Sequence, residues 1–109
     1  VIIRHGWRFF DKCFTPAEII AADGRVEAIA ARFAAKEAAA KALGTGIGCV
    51  GWREVEVLNQ GTGQPVLQLH GEAAVIAQNL QLVDFSVTLS HTRKYAAAVV
   101  IAVGKNQLA

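Results

Sequence analysis

The densest set of chemically capable side chains lies in RFAAKEAAAKALGTGIG, Arg32 to Gly48. Glu37 and Lys41 stand at i and i+4 on an alanine-rich stretch, an order that favours a surface ion pair contributing a few tenths of a kcal/mol. Solubility asks for no more than that. Yet Arg32 and Lys36 bring two further cations towards the same carboxylate, and a loop holding Gly44, Gly46 and Gly48 follows within a turn. Glycine backbone can approach a phosphate closely and offer its N–H groups while lysine supplies a point charge. The stretch therefore suits an anion and metal site as well as a solvated helix face. It is not a P-loop or a dinucleotide fingerprint, because the helix precedes the glycines. The loop alone reads equally as a C-cap and a turn.

A second cluster, SHTRK (Ser90 to Lys94), brings two hydroxyls, an imidazole and two cations to one place. A polar turn is the plain reading of it. His5, His70 and His91 do not recur at zinc-ligand spacing. The chain contains no GxSxG and no Cys/His nucleophile pattern.

These side chains need elements to hold them. TPAE, Thr15 to Glu18, is a helix start with an N-cap, a proline in the first turn and a capping-box glutamate, predicting a helix to about Ala22. ADG then breaks the pattern. A long helix is expected from about Val26 to Leu43, with Ile29, Phe33, Ala40 and Leu43 near one face and Gly44 as its C-cap. WREVEVL (Trp52 to Leu58) alternates Val55 and Val57 with Glu54 and Glu56, the period of a half-buried strand. NQGTGQP is turn chemistry, and VLQLHG (Val66 to Gly71) pairs back as a hairpin. Glu72 to Leu80 reads as a short helix. FSVTLSH (Phe85 to His91) and YAAAVVIAV (Tyr95 to Val103) form a second hairpin, with Ser86, Thr88 and Ser90 on one face. The fold class is α+β, one domain, a long helix packed on a mostly antiparallel sheet.

Composition narrows the function. At 109 residues, 53% hydrophobic, the chain can bury roughly 60 to 70% of its unfolded surface. Its mean hydropathy of +0.34 is high for so small a domain, so some apolar surface is expected to face a second copy. A net charge of +2 without a Lys/Arg block argues against a nucleic-acid binder. The longest apolar run, Tyr95 to Val103, is far short of the roughly 20 residues that cross a bilayer, so no membrane partner is expected. Cys13 and Cys49 lack CxxC spacing, which favours a reducing cytoplasm over a disulfide framework.

Taken in order, RFAAKEAAAKALGTGIG, GWREVEVLNQGTGQPVLQLHGEA (Gly51 to Ala73) and VTLSHTRKYAAAVVI (Val87 to Ile101) closely resemble the holo-[acyl-carrier-protein] synthases, the small 4′-phosphopantetheinyl transferases. RFFDKCFTPAE (Arg8 to Glu18) is similar to that family's early segment. The resemblance implies transfer of phosphopantetheine from coenzyme A to a serine of an acyl carrier protein in fatty-acid synthesis. Adenosine 3′,5′-bisphosphate would be released, and Mg²⁺ and a trimer with sites between protomers are implied too.

Residue by residue, the resemblance implies that Glu37 binds the metal, that Lys41 and His91 contact the phosphates, and that Arg32 lies near the 3′-phosphate of coenzyme A. It puts Gly44, Thr45 and Gly46 in the nucleotide-binding loop, with Ser90 and Thr92 flanking the pocket. Arg4 and Arg8 fall where the family presents basic residues to the acidic carrier protein. Phosphoryl transfer asks mainly for positioning and charge neutralisation, which these residue types supply. Glu37 or a metal-bound water is left as acceptor of the serine proton.

Family members begin with a strand of the type GIGxDxxE, whose aspartate is the second metal ligand, whereas this sequence begins VIIRHGW. Neither Asp11 nor Asp23 stands in that context. The expectation is a fragment of a longer enzyme, weak for Mg²⁺ and coenzyme A as written. Two other readings are a trimeric module that binds without turnover, and a transferase domain of a larger synthase.

Overall fold

The computed structural model describes residues 12–46 and 51–105. Along the chain these form α1 (Pro16–Ala22), α2 (Val26–Ala42), a 3₁₀ turn (Trp52–Glu54), β1 (Val55–Asn59), β2 (Pro65–Leu69), α3 (Gly71–Asn79), β3 (Leu82–His91) and β4 (Ala96–Gly104). The α+β class and the expected element order are both present. Arg4, Arg8, His5, Asp11, Cys49 and Gly48 lie outside the described residues.

α1 starts as its sequence dictates. The Thr15 hydroxyl accepts from the Glu18 N–H at 3.2 Å, and Glu18 Oε1 accepts from the Thr15 N–H at 3.0 Å. Those bonds satisfy donors that the first turn leaves without helical partners. The helix ends at Asp23, which takes the left-handed conformation with φ 54°.

β1 and β2 pair antiparallel from Val55↔Leu69 to Asn59↔Pro65, and β3 and β4 pair antiparallel from His91↔Ala96 to Leu82↔Gly104. Each pair is a two-stranded sheet. α2 lies over both. Its inner face packs Ala35 with Val57 and Val87, and packs Ala39, Ala40 and Leu43 with Val55, Ala73 and Ala77. Leu67 and Val100 join both clusters and make them one core.

α3 is docked by one carboxylate. Glu54 Oε1 accepts from the Ala73 N–H at 3.1 Å, while the Glu54 carbonyl accepts from the His70 N–H at 2.8 Å. Gly71 has φ +54°, and a Cβ there would stand 3.0 Å from Glu54 Oε2, so a side chain would press on the helix's own cap.

Two expectations need correction. β1 begins at Val55, because Trp52 to Glu54 curl into the 3₁₀ turn. Its Glu56 is buried together with Val55 and Val57, rather than facing solvent opposite them. The reason is non-local: α1 covers the outer face of β1, and Glu56 accepts there from the Thr15 hydroxyl at 2.6 Å and contacts His70 Nε2 at 2.9 Å. The second correction concerns the buried stripe of α2, which is alanine with Arg32 and Lys36, while Ile29 and Phe33 are only half-buried. Among the described residues, no helix is long and apolar enough to cross a membrane.

Candidate active site

A cleft of about 380 Å³ opens between the first half of α2, the end of β1 and the end of β3. Arg25, Arg32, Asn59, Thr88 and His91 are among the residues that line it. Arg32 is 4% exposed. One guanidinium nitrogen donates to the Ala28 carbonyl at 3.1 Å and the other to Asn59 Oδ1 at 3.0 Å. Its Nε is buried with no hydrogen-bond partner among the described residues. Burial pushes the guanidinium pKa down, and nearby Arg25 does so too, against the opposing field of Glu18. A buried cation with a spare donor is stabilised by an anion. With Arg25 and Arg32 in its lining, the cleft carries positive charge that suits a negatively charged ligand.

The other predicted residues lie elsewhere. Glu37 and Lys41 are exposed on the second half of α2. No ion pair joins them among the described residues, so the surface salt bridge that their spacing allows is not made. Glu37 stands five positions after Arg32, which amounts to about 7.5 Å along the axis and about 140° around it. The three flanking cations expected around Glu37 are also divided: Arg32 and Lys36 turn inward, and only Lys41 shares the exposed side.

The described part of the glycine loop spends its N–H groups on the helix it follows. The Gly44 N–H donates to the Lys41 carbonyl at 2.9 Å, and the N–H groups of Thr45 and Gly46 both donate to the Ala40 carbonyl, at 3.2 and 3.1 Å. Gly44 has φ +81°, the left-handed conformation that closes helices. Of the two readings of this loop, the C-cap is the one these bonds support.

In SHTRK, His91 enters the cleft while Ser90, its neighbour on the strand, faces the opposite side of the sheet. Thr92 organises the turn: its hydroxyl accepts from the N–H groups of Lys94 and Tyr95, and its own N–H donates to the Tyr95 carbonyl at 2.7 Å.

One element of the centre is not evident from motif spacing. Lys36 Nζ is fully buried and donates to Glu18 Oε1 at 2.7 Å, the Val55 carbonyl at 2.6 Å and the Trp52 carbonyl at 2.9 Å. It also lies 5.2 Å from the centre of the Phe14 ring. Glu18 Oε2 accepts from the Val57 N–H at 2.8 Å. One carboxylate thus caps α1, holds β1 and neutralises a lysine of α2. Burial pushes the Lys36 pKa down, and Glu18 acts against it. Glu56 lies beside this pair. Burial raises its carboxyl, but Thr15, His70 and Lys36 together more than offset that and hold it below the usual carboxylate value. The available sequence signal was the position of Lys36 on the alanine stripe.

A long helix over paired antiparallel hairpins, with a cleft lined by Arg25 and Arg32 beside its first half, defines an α+β domain with a positively charged cleft. The model of the 4′-phosphopantetheinyl transferase superfamily matches residues 1–100, and the chain belongs to that superfamily. It is 43% identical to the holo-[acyl-carrier-protein] synthase of Herpetosiphon aurantiacus, over 94% of this chain and 87% of that relative. It is 47% identical to the one from Koribacter versatilis, over 92% of this chain and 83% of the relative. The crystal structure of the Helicobacter pylori holo-[acyl-carrier-protein] synthase in complex with coenzyme A superposes with a TM-score of 0.84 at 27% identity. That match covers 94% of this chain and 87% of that one. Within the superfamily the chain thus falls among the holo-[acyl-carrier-protein] synthases, which makes it a phosphopantetheinyl transferase.

Proposed function

We propose that this enzyme moves 4′-phosphopantetheine from coenzyme A to a serine of an apo acyl carrier protein, serving fatty-acid synthesis in the cytoplasm with Mg²⁺ as its metal. The observation that carries the reading is the cleft lined by two arginines, Arg25 and Arg32, together with His91. It suits the 3′-phosphate end of coenzyme A, the ligand named for the Helicobacter pylori relative. In the reaction, the carrier serine oxygen forms a bond to the phosphorus that bears the pantetheine. The bond from that phosphorus to the bridging oxygen breaks, and adenosine 3′,5′-bisphosphate leaves with the electron pair.

The chain's own residues divide this work. Arg32 holds the nucleotide end, and His91 and Lys41 offset charge on the pyrophosphate. Thr92 flanks the ligand, while Ser90, on the other side of the sheet, is left to a neighbouring protomer's site, and Gly44, Thr45 and Gly46 let the ligand lie close to the end of α2. Arg4 and Arg8 are assigned to the carrier protein. Glu37 offers a carboxylate that no hydrogen bond or ion pair engages among the described residues. No group of three or more metal-binding side chains occurs there either. A lone, water-exposed carboxylate fits Mg²⁺, which keeps several waters and shares its ligands with phosphate, and does not fit zinc. When bound, the metal supplies charge neutralisation at the pyrophosphate.

Arg32 and His91 occupy one cleft while Glu37 and Lys41 lie around the helix from it, which supports a site completed by a second protomer. The face of β3 and β4 turned away from α2 supports assembly too, because it exposes Val99 and Ile101 at 60 and 57%. We assign that face to a homotrimer. The test is to incubate the protein with apo carrier protein, coenzyme A and Mg²⁺ and to follow the mass of the carrier. Phosphopantetheine should appear on its serine, and Glu37→Ala and His91→Ala should lose most of the transfer. Wild-type rates in both variants would overturn the assignment of residues, and no transfer even after a GIGxDxxE strand is added at the N-terminus would overturn the reaction.

A further inference from the structure

α2 meets the sheets through alanine. Ala28, Ala31, Ala35, Ala39 and Ala40 are buried along it. Alanine allows close approach but has nothing beyond Cβ to interlock with the opposite layer. A helix is fixed in rotation and in position along a neighbour by ridges that enter grooves. A smooth stripe supplies little of that. Two long cationic side chains on the same stripe, one helical turn apart, supply it instead. Arg32 reaches Asn59 at the last residue of β1, and Lys36 reaches the Val55 carbonyl at its first. Between them they tie α2 to both ends of the strand.

Of the two, Lys36 is the more demanding pin. It and Glu18 are 0% exposed; Lys36 spends all three of its donors on other elements, and Glu18 bonds both α2 and β1. A buried ion pair is a poor source of stability compared with apolar residues of the same shape. What it does enforce is one arrangement. If α2 turned by a single residue's angle, about 100°, the ammonium would lose all three acceptors and Glu18 its cation. Glu37 follows Lys36 directly on the same turn.

We infer that Lys36, paired with Glu18, is a positioning residue that sets the direction in which Glu37 leaves α2 and so holds its carboxylate in place for the metal. The Lys36 ammonium is enclosed and fully bonded, so it does not touch substrate itself. The inference rests on the assignment of Glu37 as metal ligand.

The test measures Mn²⁺ affinity by electron paramagnetic resonance with coenzyme A present, alongside coenzyme A affinity by calorimetry. Variants are Glu37→Ala, the double variant Glu18→Gln/Lys36→Met, and Glu18→Gln alone. Groups that orient a metal ligand typically contribute about tenfold or more to metal affinity. The double variant should therefore bind Mn²⁺ at least about tenfold more weakly while coenzyme A affinity stays within about twofold. A general loss of structure would lower both.

If the double variant does not fold, Glu18→Gln, which keeps the shape and an acceptor for Val57, carries the test. Its Mn²⁺ affinity should fall by more than its coenzyme A affinity. Equal changes in the two affinities overturn the inference, as does an unchanged Mn²⁺ affinity in a variant where Glu37→Ala loses it. Mn²⁺ binding that survives Glu37→Ala, or is missing from the wild type, instead overturns the metal assignment and this inference with it.

Discussion

Replacing Lys36 by methionine tests the centre of the molecule most severely. The substitution keeps an unbranched side chain one atom shorter and removes its charge. Glu18 is then left buried with the N–H groups of Thr15 and Val57 as its donors and no cation, and the carbonyls of Trp52 and Val55 lose a donor. Breaking a buried pair in this way costs about 3 to 5 kcal/mol. A domain of this length has roughly 5 to 15 kcal/mol in all. At about 4 to 8 °C per kcal/mol for a small domain, the expected drop in melting temperature is roughly 12 to 40 °C. Adding Glu18→Gln removes the stranded charge and keeps an acceptor for the Val57 N–H, so the double variant should recover at least about 2 kcal/mol over Lys36→Met alone. Urea unfolding of the wild type, both single variants and the double variant measures the cycle. Protein concentration is held fixed, because assembly adds a concentration-dependent contribution. Additive single costs, with no recovery in the double variant, would refute the reasoning that the two groups act as one buried pair.

Thr15→Ala removes both the cap of α1 and the hydroxyl donor to Glu56, and should cost about 1 to 2 kcal/mol at pH 7 in urea unfolding. Glu56 is held below its ordinary pKa, so its contribution is present above the unfolded value of about 4.3 and is lost as the pH falls through the lower folded value. The cost of Thr15→Ala should accordingly shrink in acid, and a cost that does not change with pH rejects the Glu56 contact. Ile101→Glu puts a charge on the open face of β4. It should convert the assembly to monomers in light scattering with an unchanged circular dichroism spectrum, and an intact assembly would reject that face as the interface. Arg32→Met should weaken coenzyme A about 10- to 100-fold by calorimetry, as expected for a bond to a charged group. It should change dephospho-coenzyme A, which lacks the 3′-phosphate, by less than about threefold. Equal losses for the two ligands would place the 3′-phosphate elsewhere.

The parts of the fold that were legible in the sequence are those decided locally. TPAE specifies the start of α1 through bonds within four residues, and NQGTGQP closes the first hairpin, with the Gln60 N–H donating to the Gln64 carbonyl at 2.8 Å. The burial of Glu56 was not legible, because alternation describes a strand with one open face and here α1 covers the second. Glu18 was legible only as a cap. Its local partners accounted for it completely, and nothing nearby pointed to a lysine 18 residues away. Lys36 and Lys41 are the same residue type on the same helix, yet one is central and the other exposed. The run Ala28, Ala31, Ala35, Ala39 marks the inner face, and Lys36 stands within it. The three ordered blocks carried the family, whereas the division of the predicted residues between a cleft and the far side of α2 depends on how the helix is turned.

The alanine seam beneath α2 also acts as a gauge of thickness. Its depth is set by methyl groups, and the 2.6 Å bond from Lys36 to Val55 has been cut to that depth. Enlarging one of those alanines would cost about 1 to 3 kcal/mol through overpacking. It would also lift the helix, and about 1 Å of lift takes that bond past hydrogen-bonding range. Sequence drift on this seam is therefore one-sided. Outside Glu37 and Lys41 the outer face of the helix can vary, while the inner face cannot gain atoms without moving every group that α2 carries.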